Sequence, residues 1–155
     1  RLVLSAAVVV VLDQVSKALA VNYLETGNPI SLVGSILKLS FARNSGAAFS
    51  VGTSATLLFT VLAFAACIGI IWFSSRITSM AWAMVFGAIL GGALGNLLDR
   101  IFRTPRNFQG HVVDFIELPN YPIFNLADSA IFCATIAGII LTLKAVPITK
   151  SGDSA

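Results

Sequence analysis

Two long stretches without any charged residue constrain this chain more than any other feature of its sequence. Residues 77–98 are 22 consecutive uncharged residues between Arg76 and Asp99, and 32 uncharged residues separate Arg43 from Arg76. An α-helix needs about 20 mainly apolar residues to cross the hydrocarbon core of a bilayer. The two stretches therefore predict two membrane-spanning helices, at residues 55–73 and 77–98.

The composition extends this prediction to the whole chain. Of the 155 residues, 57% are hydrophobic and only 11% are charged, and the mean hydropathy is +0.90. Because a soluble domain carries about 25% charged residues, these values exclude a disordered chain and disfavour a soluble one. Apolar residues 2–21 and 126–146 complete a single membrane domain of four spans over residues 1–155. The first stretch lacks a clear small-residue cleavage site, so we expect a span there rather than a signal peptide.

The two longer connections differ in character. Gly27, Asn28 and Pro29 open residues 25–52, and β-branched and apolar residues follow, which predicts a hairpin or small sheet. Residues 101–125 contain three prolines and predict an ordered loop. The net charge of +3 is scattered along the chain, so a nucleic-acid partner is not indicated.

Four spans bring the costly polar residues to one membrane face. An even number of spans puts both termini on one side, so the end of span one, both long connections, the end of span three and the start of span four share the other side. The polar residues at these positions are Asp13, Lys17, Asn44, Asn96, Asp99, Arg100, Asp114, Asn125 and Asp128. Polar residues within spans are functional candidates by default.

The distribution of cations gives a weak indication of which side of the membrane the loops face. The terminal side has Arg1, Arg76, Lys144 and Lys150, and the loop side has Lys17, Lys38, Arg43, Arg100, Arg103 and Arg106. The positive-inside rule would then put the loops in the cytoplasm, by six cations to four.

Spacing on the helices indicates two side-chain pairs. Asp13 and Lys17 are four residues apart, so they share one helical face and can form an ion pair, which would be either functional or purely structural. Asn96 and Arg100 have the same spacing, and Arg100 can hold a carboxylate or a lipid phosphate through two hydrogen bonds. We expect Asp99 to point elsewhere, toward the headgroups.

Asp114 and Asp128 are the strongest candidates for chemistry. Asp114 lies between apolar pairs, and Asp128 begins an apolar helix. Two carboxyl groups brought together at a partly dry site share a proton, so one can activate water while the other protonates the product. Helix capping by Asp128 and proton relay are the alternatives.

Metal and nucleophile chemistry have weaker support. His111 is the only histidine, and both cysteines, Cys67 and Cys133, lie in apolar runs where small buried side chains are expected. No zinc-type ligand spacing is present, and no cofactor is predicted. A Ser–Lys dyad could use Lys17 with Ser16, Ser45, Ser50 or Ser129, but nothing in the sequence places one of these serines at a strained turn beside the lysine.

Five blocks of the sequence resemble the lipoprotein signal peptidase family, also called signal peptidase II. They are Asp13–Lys17 (DQVSK), Asn44–Phe49 (NSGAAF), Gly91–Arg100 (GGALGNLLDR), Val112–Phe115 (VVDF) and Phe124–Ser129 (FNLADS). Any one block is weak, but five in order across nearly the whole of a four-span chain are specific.

The resemblance implies a membrane aspartic endopeptidase with Asp114 and Asp128 as its catalytic pair. The substrate would be a prolipoprotein whose lipobox cysteine carries a diacylglyceryl group, cleaved on the N-terminal side of that cysteine. Both termini would be cytoplasmic and the site would lie near the outer face of the bacterial cytoplasmic membrane, which overrides the cation count. Residues 25–52 would form an extracytoplasmic β-cradle, and residues 101–125 a flap-like loop.

The resemblance also implies supporting residues and partners. The residues that would bind substrate or brace the site are Asp13, Lys17, Asn44, Asn96, Arg100 and Asn125, and the three asparagines would bind the substrate backbone or orient the aspartates. Expected partners are the prolipoprotein, membrane lipids and globomycin-type inhibitors, with the chain a monomer. A proton-coupled transporter and a lipid-binding protein remain the alternative classes.

Overall fold

Four α-helices and three short β-strands make up the computed structural model, which describes residues 1–46, 52–105 and 107–149. The helices and strands are α1 (Leu2–Leu24), β1 (Ile30–Val33), β2 (Leu37–Asn44), α2 (Gly52–Ser74), α3 (Met80–Phe102), β3 (Val112–Glu117) and α4 (Leu126–Leu143). All four helices are long and apolar enough to cross a membrane. The predicted fold class, four such helices with a small sheet, is therefore confirmed.

Helix α3 is the centre of the bundle and packs against the other three helices. Its glycines allow close approach to two of them. Gly87, Gly91 and Gly95 follow a four-residue spacing along the face toward α1, and Gly92 faces α4. Small residues at such spacing let membrane helices pack backbone to backbone. The outer faces of α1, α2 and α4 expose large apolar side chains, as contact with lipid requires.

The sheet combines both long connections. Its strands are antiparallel in the order β1–β2–β3, so the third strand comes from the segment predicted to be only a flap-like loop. Val113 and Phe115 explain the strand: they are buried against Ala20 and Leu24 at the end of α1. Alternation then turns Asp114 toward the opposite face of the strand.

Several helix bounds differ from the sequence prediction. Helix α1 continues to Leu24, and α3 begins at Met80 and continues past Asp99 to Phe102. A charge normally marks the end of a span, but Asp99 is buried and paired, so the helix does not stop there. Cys133 is exposed on α4 rather than buried, whereas Cys67 is buried as expected. Residues 47–49 of the second sequence block, the end of the predicted insert and Arg106 lie outside the described residues.

Candidate active site

Asp114 and Asp128 are linked by one asparagine. Asp114 lies on β3 with a side chain only 1% exposed, and Asp128 lies in the first turn of α4. The side-chain Nδ2 of Asn125 donates to Oδ1 of Asp114 at 2.6 Å, and its backbone N–H donates to Oδ2 of Asp128 at 3.2 Å. Two carboxyl groups that are 14 residues apart therefore meet at the N-terminus of α4.

Asp128 also caps its own helix, as one interpretation of the sequence predicted. Asn125 is the N-cap residue, and its Oδ1 accepts from the backbone N–H of Asp128 at 3.0 Å. With the reciprocal bond to Oδ2 of Asp128, the two residues form a capping box. Capping occupies one carboxylate oxygen and leaves Oδ1 of Asp128 directed elsewhere.

Asn44 holds Asp114 from the other side. It lies at the end of β2, and its Nδ2 donates to Oδ2 of Asp114 at 2.9 Å. Its own Oδ1 accepts from the backbone N–H of Gly46 at 2.8 Å. Gly46 has a φ of +87°, a left-handed conformation that glycine adopts at no steric cost and that this turn requires.

Asn96 on α3 holds Asp128 in the same manner. Its Nδ2 donates to Oδ1 of Asp128 at 2.8 Å, and its Oδ1 accepts from Nζ of Lys17 at 2.9 Å and from Nδ2 of Asn125 at 3.1 Å. Each of the three amide oxygens is therefore held by a donor that cannot become an acceptor. The three NH₂ groups must consequently face the aspartates, and the asparagines orient them.

A buried ion cluster lies beneath the asparagines. Nζ of Lys17 is 2.8 Å from Oδ2 of Asp13 and 3.0 Å from Oδ2 of Asp99, and all three side chains are essentially inaccessible. Oδ1 of Asp13 accepts from the backbone N–H of Ala127 at 3.0 Å, at the start of α4. The cluster thus ties α1, α3 and α4 together directly below the aspartate pair.

The structure corrects the expectation that Asp99 faces the headgroups. Asp99 is 1% exposed, and its Oδ1 is 2.7 Å from Nε of Arg103. Its Oδ2 also accepts from the backbone N–H of Val113, next to Asp114, at 3.1 Å. The carboxylate therefore anchors β3 to α3. Its three-residue spacing from Asn96 was the available sequence signal, because i and i+3 residues are neighbours on a helix.

Two further residues of the candidate site, Gln14 and Gly46, lie inside the sequence blocks but are not predicted to have a role. Gln14 donates from Nε2 to Asp13, to Asp99 and to the backbone oxygen of Gly95, which joins α1 to α3. Gly46 fixes the amide of Asn44. The contacts of Gln14 with α3 join segments distant in sequence, and that of Gly46 depends on a local turn, so neither spacing nor composition could indicate these roles.

A groove of about 460 Å³ opens beside Asp128. Helix α3 forms its floor, and α2 and α4 contribute its walls. The lining residues are Asn44, Gly46, Phe59, Leu62, Ala63, Ala66, Ile89, Ala93, Asn96, Arg100, Asp128 and Ile131. The groove is polar at the end that holds Asp128 and apolar along α2, so it can accept a molecule with a polar group and a hydrocarbon part.

Arg100 lies at the polar end of this groove. Its side chain is 8% exposed, and its Nη1 is buried with no hydrogen-bond partner in the part of the chain that the structure describes. A clamp through two hydrogen bonds to a carboxylate, which the sequence allowed, is absent from these described residues. An unsatisfied guanidinium N–H is costly, and a ligand in the groove is one way to satisfy it.

Burial makes the two carboxyl groups unequal. Desolvation raises the pKa of Asp114 from its usual 3.8 to about 6, and the negative charge of Asp128 adds to this effect. Hydrogen bonds from Asn44 and Asn125 and the charge of Lys17 act in the opposite direction. Asp114 is therefore buried with a raised pKa, as a general acid requires, whereas Asp128 lines the groove.

The raised pKa of Asp114 predicts a pH-dependent stability. The contribution of the Asp114 carboxyl group to the free energy of unfolding is fully present below about pH 3.8 and is lost as the pH rises through about 6. One pKa unit is about 1.4 kcal/mol, so the parent protein should lose up to about 3 kcal/mol relative to Asp114→Asn between pH 4 and pH 7.5. Paired unfolding titrations in detergent at these two pH values measure the difference. A difference that stays constant with pH would contradict the raised pKa.

Fold and site together define a class: a multi-pass membrane protein with two carboxyl groups held at one end of its helix bundle. The family model for signal peptidase (SPase) II matches residues 5–144. The lipoprotein signal peptidase of Mycobacterium leprae (strain Br4923) is 46% identical over 144 residues, which is 92% of this chain and 72% of that protein. That of Rhodococcus jostii (strain RHA1) is 47% identical over 138 residues, or 89% and 70% of the two chains.

Solved structures agree with these matches. Two bacterial membrane enzymes determined by the in meso method superpose with TM-scores of 0.80 and 0.81 at 28% and 29% identity. The first covers 99% of this chain and 94% of its own, and the second covers 92% of each. The chain belongs to the signal peptidase II family, and the resemblance noted in the sequence is confirmed.

Proposed function

We propose that this protein is an aspartic endopeptidase that removes the signal peptide from diacylglyceryl-modified prolipoproteins. Cleavage falls on the N-terminal side of the lipidated cysteine, and Asp114 and Asp128 activate the attacking water. The observation that carries this proposal is that Asn125 donates hydrogen bonds to both carboxyl groups, beside a groove with an apolar wall. The relatives are named lipoprotein signal peptidases, which supports the same substrate class.

The burial of Asp114 and the position of Asp128 in the groove support different roles for the two carboxyl groups. Asp128 lines the groove, so as a carboxylate it takes a proton from water while the water oxygen attacks the scissile carbonyl carbon. Asp114, which burial helps to keep protonated, gives its proton to the carbonyl oxygen. The tetrahedral intermediate then collapses: Asp128 returns its proton to the leaving nitrogen, and Asp114 takes one back from a hydroxyl group.

The groove supports a lipidated peptide as substrate. Its apolar side follows α2 through Phe59, Leu62 and Ala66, where acyl chains or an apolar signal helix can pack. Its polar end offers Nη1 of Arg100, which can donate to a carbonyl oxygen of the substrate. The lining of the site thus includes Asn44, Asn96 and Arg100. The buried ion pair of Asp13 and Lys17 supports the site from the interior of the helix bundle.

The same proposal includes location and partners. The protein acts as a monomer in the bacterial cytoplasmic membrane, with both termini cytoplasmic and the aspartates near the extracytoplasmic face. Lys17 and Arg103 contact buried carboxylates, and Arg43 is paired with Glu25, so these loop-side cations have structural roles. A globomycin-type inhibitor would occupy the groove and cover Asp128. A proton relay needs polar residues at both faces, whereas the ion cluster and the aspartates lie at one end.

A cleavage assay tests the proposal. The purified full chain in detergent receives a prolipoprotein with a diacylglyceryl-modified cysteine, and the same prolipoprotein without lipid serves as the matched control. We expect cleavage of the lipidated form alone, with a product that begins at the lipidated cysteine by mass spectrometry. No cleavage by monodisperse protein, or a product with a different N-terminus, would contradict the proposal.

A further inference from the structure

Lys17 is a buried charged residue that contacts Asn96 and has no part in the chemistry outlined above. Its three ammonium hydrogens have three acceptors: Oδ2 of Asp13, Oδ2 of Asp99 and Oδ1 of Asn96. Its side chain is 0% exposed. A structural ion pair with Asp13 needs only one of these contacts, so the contact with Asn96 calls for its own explanation.

The contact with Asn96 determines which way that amide faces. An amide group can rotate by 180° and exchange its oxygen with its nitrogen, and only its partners decide the orientation. If Asn96 were reversed, its NH₂ group would face the ammonium of Lys17, and its oxygen would face Oδ1 of Asp128. Both contacts would be repulsive. Lys17 therefore directs the NH₂ group of Asn96 toward Asp128, together with Nδ2 of Asn125, which donates to the same amide oxygen.

We propose that Lys17 is a positioning residue that acts through Asn96. It holds the amide oxygen so that the amide NH₂ group fixes the carboxylate of Asp128, which takes a proton from the attacking water. This inference rests on the proposed aspartate mechanism. The buried cluster is charge-balanced, since Asp13 and Asp99 face Lys17 and Arg103, and the contribution that we assign to Lys17 is the orientation of Asn96.

The balanced cluster allows a test that preserves folding. Lys17→Met combined with Asp13→Asn removes one charge of each sign, and the new asparagine keeps an oxygen for the backbone N–H of Ala127. Groups that orient metal ligands contribute about 10- to 100-fold to activity, and we expect a similar factor for a group that orients a catalytic carboxylate. We expect the double variant to lower kcat by about that factor with KM within about threefold of the parent value, because the groove is unchanged.

Arg103→Met is the matched control. It removes the other cation that faces Asp99 but has no contact with Asn96. We expect a lower melting temperature and a kcat per folded molecule close to that of the parent. Lys17→Gln with Asp13→Asn is the second variant. It retains an amide donor, and we expect it to recover part of the lost kcat.

Asn96→Ala distinguishes action through the amide from a general loss of packing. If Lys17 acts through Asn96, adding Asn96→Ala to the Lys17→Met, Asp13→Asn background should lower kcat little further. The inference would be overturned if the kcat losses of the double variant and of Asn96→Ala multiply. It would also be overturned if the double variant keeps the kcat of the parent, or if Arg103→Met loses as much kcat as the double variant. The proposed function would fail separately, through a parent protein that does not cleave or an active Asp128→Asn variant.

Discussion

Asp128→Asn and Asp114→Asn should each lower the cleavage rate by at least about 1000-fold, as expected when one member of an acid–base pair is removed. An asparagine at position 128 cannot accept a proton from water. An asparagine at position 114 cannot give one to the carbonyl oxygen. Because neither change alters side-chain volume much, KM should stay near the parent value. Single-turnover cleavage of the lipidated prolipoprotein measures the effect.

Glu117→Gln is the control for these variants. Glu117 lies on the same strand as Asp114 but bonds to Ser40 on β2, away from Asp128. We expect it to cleave at nearly the parent rate. Asp114→Asn should also gain stability relative to the parent as the pH rises from 4 to 7.5, because it lacks the buried carboxyl group whose pKa is raised. A folded Asp114→Asn or Asp128→Asn variant with full activity would refute the aspartate mechanism.

Gly91→Ala should destabilise the protein by at least about 2 kcal/mol, because the crossing of α1 and α3 has no room for a methyl group. A Cβ atom at Gly91 would lie 2.6 Å from the carbonyl oxygen of Ala6 and 3.0 Å from its Cα. These are backbone atoms, so only a shift of the helix relieves the contact. That shift separates Asp13 and Lys17 on α1 from Asn96 on α3, so activity should fall with stability. Thermal unfolding in detergent, followed by the cleavage assay, measures both effects.

Gly69→Ala makes the same chemical change at an open position. Gly69 lies on α2, and no atom of the described residues lies within 4 Å of the position of its added Cβ. Alanine also has a higher helix propensity than glycine, so we expect a melting temperature no lower than that of the parent. Equal destabilisation by the two changes would show that the close crossing of α1 and α3 is not what Gly91 provides.

Much of the site was accessible from the sequence because membrane spans leave few polar residues to choose from. Asp114 and Asp128 stood out against apolar neighbours, and the spacing of Asp13 and Lys17 predicted the contact that the structure contains. Asp99 was misplaced for a definite reason. A carboxylate at the end of a span normally faces water, but Asp99 is held inside by tertiary contacts, among them those with Lys17 on α1 and with the backbone of Val113.

The sequence by itself determined the four apolar helices, the side of the bundle that carries the polar residues and the family, because hydrophobic length, helical spacing and motif order are local properties of the chain. Only the tertiary structure decided that β3 completes the sheet, which way the amides of Asn44, Asn96 and Asn125 face and which carboxyl group is buried. Those features depend on hydrogen bonds and desolvation between segments far apart in sequence. An amide orientation or a raised pKa exists only once its partners are in place.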